Sequence, residues 1–349
     1  MVDAILQHSL EAGCRLRHPD RHAARHAARH IRRRARAQLS FFDLDFWVGV
    51  GIVAGIYGIF ALGLQLNVGF TGLINLGQAG FMCVGAYAMG MLVVDAGWPL
   101  GLAFPAAIVI AVAAGALVGL ASLRLRADYF GVVTIAFSEI VRYVFQNAAF
   151  AGGNQGIIGY DAEWRAFQSW ASERLAAIGL GEAAEVPLLV AVWATLLLCL
   201  AALRALQLSP WGRVLKAIRE DEDAAAALGK NVFAFKLQSL GIAAALATIA
   251  GFFLAMNVTY LYPSEFDPSF TFFGYAVLIL GGFASYGGVV VGAVLLCALT
   301  EGLRFLDLPL SAGQAGSLRF IIVGLILICL SMFRPQGLLG SKAEMQLRA

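Results

Sequence analysis

The sequence predicts an all-α integral membrane protein with about eight to ten transmembrane helices, some broken or re-entrant, in inverted repeat halves. Three observations carry that prediction. Hydrophobic residues make up 60% of the chain, charged residues only 13%, and the mean hydropathy is +0.78, whereas soluble domains are roughly 45–50% apolar. Apolar windows recur at 46–66, 73–94, 99–121, 129–150, 186–206, 237–257, 271–298 and 318–333, and a spanning helix needs about 20 such residues. The runs are continuous, which argues against the alternating strands of a barrel. Finally, two runs are interrupted by glycine: GFTGLINLGQAGF at 69–81 and GGFASYGG at 281–288.

Residues 1–40 form a basic N-terminal arm, with nine Arg against Asp3, Glu11 and Asp20. Arg21, Arg25 and Arg29 share one helical stripe, and His18, His22, His26 and His30 the next. An Arg stripe beside a membrane suits anionic lipid; a metal site on the His stripe and a disordered tail are the other readings. The arm has no apolar run, so it does not read as a secretory signal peptide.

Residues 41–340 read as the membrane domain and 341–349 as a short tail. Lys and Arg in the loops set orientation. Arg124 and Arg126, the six basic residues between Arg204 and Lys236, and Arg334, Lys342 and Arg348 place those segments in the cytoplasm, with the arm and tail. The 151–185 loop has five acids and two Arg, and 258–270 has Glu265 and Asp267, so both read as extracytoplasmic. Within the former, Trp164, Phe167, Trp170 and Leu175 recur as in an amphipathic interfacial helix, a candidate surface for a docking protein.

A cytoplasmic arm followed by eight simple crossings would put 204–236 outside. One irregular segment is therefore expected in each half, and 69–94 and 271–298 are the candidates. Broken backbone at membrane depth is tolerated only inside protein or along a cavity, and Gly-interrupted segments in two halves point to a transport pathway. Asn75, Gln78 and Phe81 at the first interruption and Gly281, Gly282, Tyr286 and Gly287 at the second are the pathway candidates. Asn and Gln can bond a passing solute, although helix-to-helix bonding is their commoner use.

Glu139 and Arg142 lie inside the fourth apolar run, three apart, and Glu301 and Arg304 repeat the spacing. Such a pair reads first as an intramembrane clip, then as part of a substrate path or a proton relay. Cys14, Cys83, Cys199, Cys297 and Cys329 are scattered and read as small core residues, without a disulfide frame or metal site. LGKN at 228–231 lacks the first glycine and the hydroxyl of a phosphate-binding loop, and HExxH, CxxC and GxSxG do not occur. Catalysis, a resident cofactor and nucleic-acid binding are not expected.

GLQLNVGFTGLINLGQAGFMCVGAYAMGML, YFGVVTIAFSEIVRYVFQN followed by AGGNQGI, GRVLKAIREDEDAAAALGKNVFAFKL, LILGGFASYGGVVVGAVL and FRPQGLLG resemble, in that order, the LivM-type permease subunits of branched-chain amino acid ABC transporters. The resemblance covers about 46–340. It implies an inner-membrane subunit that pairs with a LivH-like permease, two cytoplasmic ATPases and a periplasmic substrate-binding protein, with ATP hydrolysis in the other chains. It also implies that 207–236 is the ATPase-docking loop, carried by Arg213, Lys216, Arg219, Glu220, Asp221, Glu222, Asp223, Ala224, Ala225 and Gly229. On their own these residues make a solvated loop helix; alanines slim it for close approach, and Gly229 fits a helix C-terminus. Two departures stand out: Ala226 replaces a second Glu common in the family, and Ala151 replaces a Thr. The implied solute is a branched-chain amino acid, with urea or short amides as the alternative. An autonomous ion-coupled transporter built on Glu139 is the competing class.

Overall fold

The computed structural model describes residues 44–124, 127–176, 185–303, 312–334 and 336–340. The basic arm with its Arg/His stripes and Cys14, the tail 341–349, Arg126, Arg304 and the side chain of Leu175 lie outside the described residues.

Helix α1 (Leu44–Leu64) continues into a π-helical stretch, Gln65–Thr71, as one apolar rod of 28 residues. After a non-helical turn come α2 (Gln78–Val94), α3 (Leu100–Ser122), α4 (Ala127–Asn147), the surface helix α5 (Ala162–Ala176) and α6 (Val186–Leu208). Two short helices follow, α7 (Pro210–Glu220) and α8 (Glu222–Ala227), then α9 (Val232–Val258), α10 (Pro268–Gly281), α11 (Tyr286–Gly302) and α12 (Ala312–Phe333). Local chemistry sets several starts: Ser209, Asp221, Asn231, Asp267 and Ser285 each accept a backbone N–H from the first turn they precede. Pro210 and Pro268 occupy first-turn positions where no donor is lost.

α1 and α9 form the centre, with 72% and 78% of their spanning windows buried, against 28% for α3 and 33% for α6. Small residues let the helices meet closely. Gly51, Gly55 and Gly58 of α1 receive Leu189, Val192 and Leu196 of α6, and Gly80 of α2 lies against the Ser138 backbone of α4.

Those contacts fix direction. Matched residues on α1 and α6 rise together, so the two helices run parallel. α1 and its π extension run antiparallel to α9, since Gly63 lies at Ala243 and Thr71 at Ser239. α2 runs with α9, α3 against it. α10 follows α1 from Tyr57 to Leu64, and α11 doubles back along α10. α7, the end of the π stretch and residues 336–340 share one face, and a two-stranded sheet, Ile157–Ile158 on Tyr260–Leu261, marks the opposite face.

The directions correct the parity expectation. Leu44 begins on the face opposite α7, level with Val186, so α1, α2, α3, α4 and α6 alternate without an irregular crossing in the first half. The expectation assumed that the basic arm shares a face with 204–236, and the direction of α1 does not support this. In the second half the expectation holds: 271–298 is two legs, α10 and α11, bent by 114°. α1–α4 and α9–α12 alternate in opposite senses, as inverted halves require. The counterpart of the α1–α2 turn is therefore the α9–α10 turn at 259–267. That segment reads in sequence as an ordinary loop, yet Phe266 is fully buried against Tyr87 and Pro263 is also buried.

Candidate functional site

The first interruption is a buried polar knot. Gly72 closes the π stretch with φ of 77°, a left-handed conformation open to glycine. The carbonyl of Asn67 accepts from Gly72 and, at 2.8 Å, from Leu73. Ser239 of α9 bridges Thr71 at 2.7 Å and donates to the Asn67 Oδ1 at 3.0 Å. α2 then starts at depth, where its first N–H groups have no water to meet. Other helices supply acceptors: Thr134 Oγ1 for Leu76 N–H and Thr271 Oγ1 for Ala79 N–H, each at 3.1 Å, while Asn75 Oδ1 accepts from Gly77 N–H at 3.0 Å. Asn75 donates to Gln78 at 2.8 Å, Gln78 donates to the Ala243 carbonyl at 2.9 Å, and Tyr275 donates to the Asn75 carbonyl at 2.8 Å. Phe81 is buried beside Phe137, with ring centroids 5.1 Å apart. In this state Gln78 therefore bonds from α2 to α9, whereas the Asn75 side chain bonds only within its own turn, to Gly77 and Gln78.

The second interruption ends α10 at Gly281. Gly282 has φ of 114°, Ala284 sits left-handed at 61°, and Ser285 caps α11. Gly281 and Gly288 face each other so closely that a Cβ on either would strike the partner's carbonyl. Residues 336–340 close the site from the α7 face, with Leu338 and Leu339 N–H donating to the carbonyls of Leu280 and Gly281 at 3.0 and 2.9 Å. Gly287 faces open space.

The two interruptions touch. Phe70 stacks on the nearly buried Tyr286 with centroids 4.8 Å apart. With the Gln65 carboxamide turned towards α11, its oxygen accepts from Ala284 N–H and, at 2.7 Å, from Ser285 N–H. A Cβ at Gly69 would lie 3.2 Å from the Ala284 nitrogen, so the backbones meet because residue 69 is glycine.

The 207–236 segment lies directly on this pair. Leu215 and Ile218 bury the inner face of α7. Arg219 donates to the carbonyl of Gly69, and Lys216 stands over the Phe70 ring at 5.6 Å. Among the described residues none covers the outer face: Arg213, Glu220, Asp221, Glu222, Asp223, Ala224, Ala226 and Leu228 are exposed, while Ala225 is buried. Glu222 pairs with Lys236. Gly229 takes the expected helix C-terminal position, with φ of 77° and with Lys230 N–H bonding back to Ala225.

Glu139 and Arg142 form the expected clip, with bonds of 3.1 and 2.6 Å to the two carboxylate oxygens, and Arg142 covers Tyr143. The segment expected to be an interfacial helix forms the surface helix α5, where Trp164 packs on Phe252 and Glu163 accepts from Leu100 N–H at 2.8 Å, capping α3. Cys83, Cys199, Cys297 and Cys329 are free thiols.

Residues 47–331 match the family model described as "Branched-chain amino acid transport system / permease component". The chain belongs to this branched-chain amino acid transport permease family. The match runs from within α1 to within α12 and so contains both interruptions and the 207–236 segment. Within the family, the chain is 32% identical to the high-affinity branched-chain amino acid transport system permease proteins LivM of Escherichia coli and Salmonella typhimurium, over 84% of this chain and 69% of each relative. It is 24% identical to LivH of Escherichia coli, over 83% of this chain and 93% of that protein. No solved structure matches.

Sequence reasoning missed Gln65, Asn67, Thr134, Ser239, Thr271 and Tyr275. Gln65 and Asn67 carried a signal, being amides inside an apolar run. A Ser or Thr inside a helix carried none, because such residues commonly bond their own preceding turn.

Proposed function

We propose that the protein is a permease subunit of an ATP-driven importer and forms half of the pathway for a branched-chain amino acid. The reading rests on one observation. Two glycine-interrupted segments pack on each other inside the helix bundle beneath an exposed, acid- and alanine-rich segment, in a chain of this permease family. In this reading 207–236 faces the cytoplasm and receives an ATPase through Arg213 and the exposed residues among 220–229, while Lys216, Arg219 and Ala225, expected on the docking face, turn inward onto this chain. A LivH-like subunit supplies the other half of the pathway, a second ATPase docks there, and a periplasmic binding protein delivers the solute and sets its identity. The membrane is the bacterial inner membrane, and ATP is hydrolysed in the partner chains.

Asn75, Gln78, Phe81, Gly281, Gly282, Tyr286 and Gly287 border the pathway. For Asn75 and Gln78 to meet a solute, the α2 start must open, because their amides are engaged in this state. The same frame serves urea or a short amide, since selection lies largely in the binding protein. The ion-coupled reading is weaker, because both Glu139 oxygens are held by Arg142.

The test is a mild-detergent pull-down of the tagged chain, wild type and Glu220→Gln/Asp223→Asn. The reading predicts recovery of a second permease and P-loop ATPases, with ATPase recovery reduced at least fivefold in the variant. Recovery of the chain alone, with transport that needs no ATP, would overturn it.

A further inference from the structure

We infer that Arg219 is a positioning residue that ties the ATPase-docking helix to the buried end of the first interruption, so that a displacement of α7 is delivered to both interruptions. The inference rests on the docking role proposed above and adds the link through which docking reaches the membrane.

A helix leaves its last carbonyls without partners. In the π stretch, Thr71 Oγ1 donates to the carbonyl of Leu66 at 3.0 Å, and Gly72 and Leu73 donate to that of Asn67. The Gly69 carbonyl is filled from outside, by a guanidinium on a different element, 150 residues away in sequence. A cation at a helix C-terminus also meets the negative end of the helix dipole.

The fit is shaped on both sides. Gly72, left-handed, would bring a Cβ within 3.4 Å of Arg219 Cγ and 3.6 Å of its Cα, so the turn after the π stretch is moulded against α7. One turn earlier, Lys216 covers Phe70, whose ring continues the stack onto Tyr286. Gly69 in turn abuts Ala284, and Gln65 holds Ala284 and Ser285. A hydrogen bond and a cation–aromatic contact therefore connect one short helix to two adjacent backbones, each with two successive links. α7 is suited to move as a unit because Leu215 and Ile218 anchor it along its length.

The test uses Arg219→Gln and Arg219→Lys in the full chain. In the complex reconstituted in proteoliposomes with leucine as the probe, Arg219→Gln is expected to keep ATPase recovery and hydrolysis within twofold of wild type. Leucine uptake per ATP should fall at least tenfold, and Arg219→Lys, which keeps the charge and a donor, should fall between. Uptake per ATP within twofold of wild type for Arg219→Gln would overturn the inference. So would loss of the ATPase itself, which would make Arg219 a docking contact. If the wild-type complex neither recovers an ATPase nor takes up leucine, the proposed function fails, and the link is then read by hydrogen exchange on the purified chain. There Arg219→Gln should speed exchange at least tenfold in 65–77 and 282–286 while leaving 100–122 unchanged; equal exchange in all three would refute the link.

Discussion

Thr134→Val and Thr271→Val probe how the chain can start a helix inside the membrane. Each substitution keeps the shape and removes the acceptor of one buried N–H, that of Leu76 or Ala79. Both threonines are fully buried, so no water can replace the oxygen. An orphaned buried donor costs about 1–3 kcal/mol. Membrane hydrogen bonds measured by mutation average about 0.6 kcal/mol and reach about 1.7, because the unfolded chain in lipid also finds partners. Together these bounds give a loss of about 1–2 kcal/mol for each variant. Thr300→Val is the control: its hydroxyl donates only to Leu296 and Cys297 carbonyls of its own helix, each at 3.0 Å. Those carbonyls keep their helical partners, so the loss is about 0.5 kcal/mol or less. Reversible unfolding of the purified chain by steric trapping in bicelles measures all three. Equal stabilities of the Thr134, Thr271 and Thr300 variants would refute the account of the first interruption.

Ala284→Gly relieves a left-handed alanine and should raise stability by about 0.5–1 kcal/mol in the same assay; a loss would mean that the Ala284 methyl packs usefully. Gly229→Ala meets open space but a φ of 77°, so it should weaken the end of α8 by about 1 kcal/mol. Hydrogen exchange at 222–230 reports the change, and ATPase recovery should fall with it. Glu139→Gln should leave ATP-driven uptake within twofold. Arg142→Leu, which leaves the half-buried Glu139 carboxylate without its partner, should destabilise the chain by about 1–3 kcal/mol; an uptake loss confined to Glu139→Gln would favour a proton-carrying role instead.

Helical class, the apolar segments and both glycine interruptions were legible because continuous apolar runs and glycines among amides are local signals. The Glu139 and Arg142 clip and the Gly229 terminus were legible for the same reason, each resting on a spacing of a few residues. What sequence concealed is long-range. Thr271 and Thr134 acquire their roles only when α10 and α4 pass the start of α2, and Arg219 finds Gly69 only because α6 runs parallel to α1. The 259–267 dip was hidden behind one proline, Pro263, and two acids, Glu265 and Asp267, that look like any exposed loop. The face on which α1 begins was misjudged because charge in the arm was read as if the arm were a short loop. Lys and Arg counts orient short loops near span ends, and packing directions decide more firmly.

The most direct test of the central claim is leucine uptake into proteoliposomes holding the chain with its co-purified partners, with ATP enclosed on the side of 207–236. The account predicts accumulation that requires ATP and the binding protein and is lost when residues 220–229 are altered. Accumulation driven by an ion gradient without ATP, and unaffected by those alterations, would contradict it.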